Sequence, residues 1–179
     1  MTKRLRRAYP KFGIRFGWVV LVALLLQIVV IWVGFGEAGV LRRLIFPASY
    51  VLLLAFVLLN RRRIGFLVIG AGMLLNFLAI VSNGGLMPVT PADAEQAGMG
   101  YKIEGVELGE AIPRSKNVLL EESDIHLRLL SDRYTWISDS PFAVFSVGDI
   151  VVAAGLVVVL VEALLPARQR SSPDRTSPA

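Results

Sequence analysis

The chain has 179 residues, 55% of them hydrophobic, and its mean hydropathy of +0.63 is too apolar for an ordinary soluble domain. It contains no cysteine, which excludes a disulfide framework, thiolate metal sites and thiol catalysis. The formal net charge is +5, but the basic residues cluster at the ends of apolar runs, a distribution typical of membrane topology, so nucleic acid is not an expected partner.

The first apolar run predicts a transmembrane helix at residues 17–33, preceded by a basic arm at residues 1–16. Gln27 is the only polar side chain between Phe16 and Phe35. The run is longer than the hydrophobic region of a secretory signal, and residues 34–38 after it form a poor small-x-small cleavage site, so we expect an uncleaved signal anchor. About 20 apolar residues match the roughly 30 Å hydrocarbon core of a bilayer.

Two further apolar runs predict a second helix at residues 44–60 and a third at residues 64–82. Arg42 and Arg43 lie just before the second helix, and we expect them to reach the lipid headgroups. The turn at residues 61–63 is too short to leave the membrane surface. Small residues in the third helix, which suit either packing within the chain or a dimer seam, are Gly65, Gly70, Ala71 and Gly72.

Residues 83–145 contain most of the acidic residues and predict a structured loop of about 60 residues outside the bilayer. Alternation of apolar and polar residues over 101–108 predicts a short hairpin, and the leucines over 117–130 predict a helix. The loop begins with Asn83-Gly84-Gly85, whose glycines can adopt left-handed dihedrals and end the third helix. The exposed amides of this turn are also a candidate ligand site.

The last apolar run predicts a fourth helix at residues 146–165, ended by Pro166. Residues 166–179 are polar and rich in proline, so we expect a disordered cytoplasmic tail. The predicted fold is therefore an all-α membrane protein. Its membrane domain, residues 17–165, has four transmembrane helices and the structured extracytoplasmic loop.

The distribution of charge predicts the orientation. The basic residues number six in the N-terminal arm, three in the Arg61–Arg63 turn and three in the tail, which makes 12 of the 19. The other side holds Arg42 and Arg43, which count against this orientation but less than the twelve count for it, and the long loop, which contains ten acidic and five basic residues. Because basic residues favour the cytoplasmic side, we expect both termini in the cytoplasm and the loop outside the plasma membrane.

Asp149 is the foremost candidate for chemistry, because a carboxylate at the start of an apolar helix is costly unless it is paired. It is either a contact for a proton, cation or substrate, or part of a capping box with Ser146. Gln27 and Asn76 are intramembrane amides of the kind that bridge helices. Glu162, near the cytoplasmic end of the fourth helix, is expected to reach the headgroups or nearby arginines.

The single histidine does not predict a metal site. His126 has Glu121, Glu122 and Asp124 close by, but no second histidine and no HExxH spacing accompany it, and a solvated acidic face explains the same residues. The GxSxG and GxxxxGK[ST] motifs of hydrolases and NTPases are also missing. We therefore expect no metal and no cofactor, and the sequence favours a non-enzymatic protein.

Two motifs carry a resemblance to a known family. Asn83-Gly84-Gly85-x-Met87-Pro88-Val89 and Ser146-x-Gly148-Asp149, together with Asn76 and one histidine in the loop, resemble a bacterial membrane family, domain of unknown function family 5317. The resemblance covers residues 41–165 and implies a multi-pass envelope protein with nothing catalytic. It also suggests one functional cluster on the outer face, which comprises Asn83, Gly84, Gly85, Met87, Pro88, His126, Ser146, Gly148 and Asp149.

Three functions remain open from the sequence. The first is a non-enzymatic accessory or partner-binding protein of the cell envelope, in contact with the lipid bilayer and with a membrane protein partner or a second copy of itself. The second is a small transporter or ion-conducting bundle that uses Asp149 and Asn76. The third is a membrane enzyme that uses loop carboxylates such as Asp124, Asp132 and Asp139.

Overall fold

The computed structural model describes residues 13–32, 39–135 and 144–165. Most of the predicted basic arm, the predicted tail and Asp139 lie outside these residues. The helices are α1 (Trp18–Trp32), α2 (Gly39–Leu59), α3 (Ile64–Ser82), α4 (Pro91–Gln96), α5 (Gly100–Ile103) and α6 (Val147–Leu164). The strands are β1 (Met87–Val89), β2 (Asn117–Leu119), β3 (Tyr134–Thr135) and β4 (Val144–Phe145).

Three of the described helices, α2, α3 and α6, are long and apolar enough to cross a membrane. This composition is compatible with a membrane protein, and it agrees with the predicted second, third and fourth helices. The first helix, α1, is apolar but has 15 residues, a length of about 22 Å at 1.5 Å per residue. The described part of the chain is thus mainly helical, with three long apolar helices and one shorter one.

Helices α3 and α6 run antiparallel and pack closely through glycines. A Cβ on Gly65 would lie 2.6 Å from the backbone nitrogen of Val159, and one on Gly72 would lie 2.6 Å from the carbonyl oxygen of Gly148. A Cβ on Gly155 would be equally close to α3. Small residues of this kind let two helix backbones approach each other, so these glycines serve packing within the chain.

Helix α2 begins earlier than the sequence predicted. It starts at Gly39 and not at residue 44, so Arg42 and Arg43 lie in its first turns. The prediction treated charged residues as the end of the helix, but both guanidinium groups donate hydrogen bonds to backbone carbonyls of the segment between α3 and α6. Contacts with the protein therefore allow the helix to continue through these two arginines.

The segment between α3 and α6, residues 83–145, is called the connecting segment below. Strands β1 and β2 pair in parallel, with Pro88 opposite Val118, and β3 pairs with β4 in the antiparallel sense. Buried apolar side chains from β1, α4, β2 and the turns form its core, which comprises Val89, Ala94, Ala97, Met99, Ile112, Leu119 and Val144. The connecting segment is consequently a folded unit, and the prediction of an all-α chain holds only outside it.

Two predicted elements of the connecting segment are wrong. The predicted hairpin at 101–108 is the short helix α5 followed by turns, in which Gly105 adopts a φ of +74°. The predicted helix at 117–130 consists instead of β2 and two 3₁₀ turns. Leu119 is buried against the core through the pairing with β1, and Leu127 has a left-handed φ of 55°, which a continuous α-helix does not permit.

Candidate functional site

The start of α6 is fixed by a capping box. Ser146 accepts a hydrogen bond from the Asp149 backbone N–H at 3.1 Å, and the Asp149 carboxylate accepts one from the Ser146 N–H at 3.1 Å. Each side chain thus satisfies an amide that has no partner within the helix. The predicted capping box is confirmed.

Asn76 connects this helix start to α3. Its Nδ2 donates to Oδ1 of Asp149 at 2.7 Å, and its Oδ1 accepts from the Ser146 hydroxyl at 2.7 Å. Asn76 is buried, with 2% of its surface exposed. Gly148 lies against this amide, and a Cβ on Gly148 would collide with the Asn76 oxygen. The prediction that Asn76 bridges two helices is therefore confirmed.

Lys116 joins the connecting segment to the same site. Its ammonium lies 3.1 Å from Oδ2 of Asp132 and 3.2 Å from Oδ2 of Asp149. Asp132 is completely buried and also accepts a hydrogen bond from the Asn117 amide at 2.8 Å. We call Asn76, Lys116, Asn117, Asp132, Ser146 and Asp149 the polar junction.

The charges of the polar junction stabilise each other. Burial alone would lower the pKa of Lys116, but the carboxylates of Asp132 and Asp149 outweigh it and hold that pKa above its ordinary value of 10.5. Burial raises the pKa of Asp132, and Lys116 and Asn117 counteract part of that increase. Lys116 is accordingly a cation at physiological pH, and its ammonium lies between the carboxyl groups of Asp132 and Asp149.

A second contact joins the end of α3 to the connecting segment. The Asn83 amide donates to the carbonyls of Ala79 and His126, and its oxygen accepts from the His126 N–H at 2.9 Å. His126 enters this contact through its backbone, and the residue itself is exposed. Asn83 therefore fixes the backbone at His126 against the end of α3, and the His126 imidazole takes no part in this contact.

The Gly84-Gly85 turn lies against the start of α2. Arg43 donates to the Gly84 carbonyl at 3.1 Å and to the Gly109 carbonyl at 2.7 Å. Gly85 has a φ of +92°, and a Cβ there would collide with the carbonyl oxygen of Arg43. In an α-helix the carbonyl of Arg43 would accept a hydrogen bond from the N–H of residue 47, but residue 47 is Pro47, which has no N–H. The turn therefore approaches a carbonyl that α2 leaves without this hydrogen bond.

The structure brings together only part of the predicted cluster. Ser146 and Asp149 belong to the polar junction, and Gly148 lies against its Asn76 amide. Strand β1 adjoins the junction through the backbone, because the Pro88 carbonyl accepts from the Asp132 N–H at 3.2 Å. Met87 is buried beside Pro88 in the same strand. The remaining four residues, Asn83, Gly84, Gly85 and His126, form the two separate contacts at the end of α3.

Gln27 lies apart from these sites. Its Nε2 donates to the Ser49 hydroxyl at 2.9 Å, and Ser49 in turn donates to the Phe46 carbonyl at 2.6 Å. Ser49 is completely buried. Gln27 thus links α1 to α2, and the prediction that its amide bridges two helices is confirmed.

Sequence reasoning missed Lys116 and Asn117. The carboxylate of Asp149 at the start of an apolar helix indicated that a cation should lie nearby. Lys116 was one of five basic residues in the connecting segment that could supply it. No spacing distinguished it from the other four, because the pairing of β1 with β2 brings it to the site. Within the ranges that the structure describes, no group of three or more histidine or acidic side chains is arranged to hold a metal ion.

One family matches the chain. The family described as a family of unknown function, DUF5317, matches residues 11–161, a range that includes the first helix, which the resemblance had left out. Comparison with curated proteins and with solved structures gives no match. Because the match covers most of the 179 residues, the chain belongs to the DUF5317 family.

Proposed function

We propose that this protein is a non-enzymatic, multi-pass protein of the cell membrane whose four apolar helices carry the connecting segment as a rigid, partner-binding cap on the outer face. The observation that supports this most is the position of Lys116. It lies in the connecting segment and contacts both the buried Asp132 of that segment and Asp149 at the start of α6. One side chain thereby joins the folded segment to the helices.

The hydrogen bonding of Asp149 favours a structural role over transport. Oδ1 accepts from Asn76, and Oδ2 accepts from Lys116 and from the Ser146 N–H. A transported cation or proton would have to displace Lys116, which would leave an uncompensated ammonium beside Asp132. A carboxylate with these partners is suited to hold two parts of the protein together.

The ends of α1 support a fourth span. Trp18 and Trp32 stand at its two ends and are 63% and 67% exposed. Tryptophan is enriched at both membrane interfaces, so this spacing fits a helix that reaches from one headgroup region to the other in a locally thinned bilayer. The basic residues near Arg15 and Arg61 favour a cytoplasmic location for the start of α1.

The surface of the connecting segment supports partner binding. Tyr101 and Leu108 are 62% and 51% exposed, although they belong to a folded, acidic unit. Aromatic and aliphatic side chains of this kind are common anchors in protein interfaces. We propose a membrane protein or a second copy of the chain as the partner, which crosslinking from a photoreactive residue at Tyr101 in intact cells can identify.

The test of the proposal separates a structural from a transport role of Asp149. Asp149→Asn should lower the thermal stability of the purified protein, since the amide is a weaker partner for Lys116. Wild-type proteoliposomes should show no proton or cation flux above empty vesicles. The matched control is Glu104→Gln at an exposed position of the connecting segment. Flux through the wild type that disappears in a stable Asp149→Asn variant would establish transport and overturn the proposal.

A further inference from the structure

A cavity of about 720 Å³ lies at the end of the helices that is opposite to the polar junction. It is situated where α2 ends, α3 begins and α6 ends. Its polar lining comes from the cationic side chains of Arg15, Arg62 and Arg63, the anionic side chain of Glu162 and the neutral amide of Asn60. The volume falls within the range of small-molecule sites in proteins, roughly 300–1,000 Å³.

One wall of the cavity is held in place by Asn60. Its Oδ1 accepts from the Arg15 N–H at 2.9 Å, and its Nδ2 donates to the carbonyls of Arg15 and Phe56 at 3.0 and 2.9 Å. Asn60 is 7% exposed. These three bonds fix the backbone of Arg15 against the end of α2, and Arg15 and Arg62 both line the cavity.

Glu162 supplies the opposite charge. Its Oε1 accepts from the Ile64 N–H at 3.0 Å, which satisfies one amide at the start of α3. Its Oε2 is buried and has no hydrogen-bond partner among the described residues. A buried carboxylate oxygen without a donor is costly, so this atom calls for a donor that the described part of the chain does not supply.

We propose that this cavity binds the headgroup of phosphatidylethanolamine. Arg15 and Arg62 bind the phosphate, and Oε2 of Glu162 accepts a hydrogen bond from the ammonium. The cavity lies at the end of membrane-crossing helices, where lipid headgroups are the most abundant ligands, and basic pockets between such helices bind lipid phosphates. Glu162 favours phosphatidylethanolamine over phosphatidylglycerol, because the phosphatidylglycerol headgroup has a phosphate but no ammonium to donate to the carboxylate.

The inference rests on the membrane insertion in the proposed function and is independent of the partner. The full chain is reconstituted in nanodiscs of equal amounts of phosphatidylethanolamine and phosphatidylglycerol, and the lipids retained after transfer to detergent are counted by native mass spectrometry. Wild type should retain phosphatidylethanolamine in excess. Glu162→Gln should reduce that preference about tenfold, the effect of one charge-assisted hydrogen bond, and leave phosphatidylglycerol unchanged.

The glutamine variant keeps an oxygen for the Ile64 N–H, so the start of α3 is preserved. Arg15→Gln with Arg62→Gln should reduce retention of both lipids, whereas Arg114→Gln in the connecting segment should alter neither. Free phosphoethanolamine should displace the lipid better than inorganic phosphate. Equal retention of both lipids by wild type, an unchanged preference in Glu162→Gln, or equal displacement by inorganic phosphate would overturn the assignment. Failure of the chain to enter nanodiscs would instead contradict the proposed membrane insertion.

Discussion

Replacement of Lys116 by methionine tests the polar junction most directly. The variant keeps most of the side-chain length and removes the ammonium that lies 3.1 Å from Asp132 and 3.2 Å from Asp149. Asp132 is completely buried and would retain the Asn117 hydrogen bond as its main compensation. Removal of one member of a buried ion pair costs about 3–5 kcal/mol.

For Lys116→Met we expect a cost at the lower end of this range of about 3–5 kcal/mol. The side chains of Lys116 and Asp149 are 26% and 33% exposed, so water screens the charges of that pair. A loss of about 3 kcal/mol corresponds to a decrease in Tm of roughly 6–12 °C for a chain of this size. Thermal unfolding of the purified protein in one detergent measures it. Lys102→Met, in the short helix α5, is the control.

A double-mutant cycle identifies the origin of the loss. In an Asp132→Asn background the buried charge is already absent, so Lys116→Met should cost less than half of what it costs in the wild type. Equal effects of Lys116→Met in both backgrounds would show that the Lys116 and Asp132 charges are not coupled. A Tm decrease no larger than that of Lys102→Met would refute the whole argument for the junction.

Two further predictions concern backbone strain and pH. Gly85→Ala should lower the free energy of unfolding by about 2 kcal/mol more than Gly105→Ala does. Both glycines have a positive φ, but of the two only Gly85 would place a Cβ against Arg43. Equal Tm values for the two variants would contradict this. The folded protein raises the pKa of Lys116 above its ordinary value of 10.5. The contribution of the Lys116 ammonium to the free energy of unfolding is therefore fully present below pH 10.5, and it is lost as the pH rises through the pKa of Lys116 in the folded protein. The Tm difference between wild type and Lys116→Met should therefore be constant from pH 7 to 10 and narrow only at more alkaline pH, and a difference that disappears below pH 9 would be inconsistent with it.

The sequence predicted the range of α3 well, missed the first five residues of α2 and predicted the connecting segment poorly, for a physical reason. The third helix was predicted at residues 64–82, the range of α3, because in lipid the length of the apolar run and the charges at its ends determine the helix. Strands β1 and β2 have three residues each and are about 30 residues apart, so their pairing depends on burial in a common core and leaves little local signal. Lys116 reaches Asp149 through that pairing.

Gly148→Ala tests whether the close approach of α3 and α6 is what positions Asn76. A Cβ at residue 148 would collide with the Asn76 amide oxygen and would lie 2.7 Å from the carbonyl oxygen of Gly72. Overpacking of this kind costs about 1–3 kcal/mol, and displacement of Asn76 would also weaken its hydrogen bonds with Ser146 and Asp149. The Tm should fall by several degrees.

Gly100→Ala is the matched control for this substitution, because a Cβ at residue 100 meets no atom within 4 Å. In an Asn76→Ala background the collision with the amide is removed, while the contact with the Gly72 carbonyl remains. Gly148→Ala should then cost less than in the wild type, but more than Gly100→Ala. Strictly additive effects of Asn76→Ala and Gly148→Ala would mean that the glycine is required for helix packing alone, and that Asn76 reaches Asp149 independently of it.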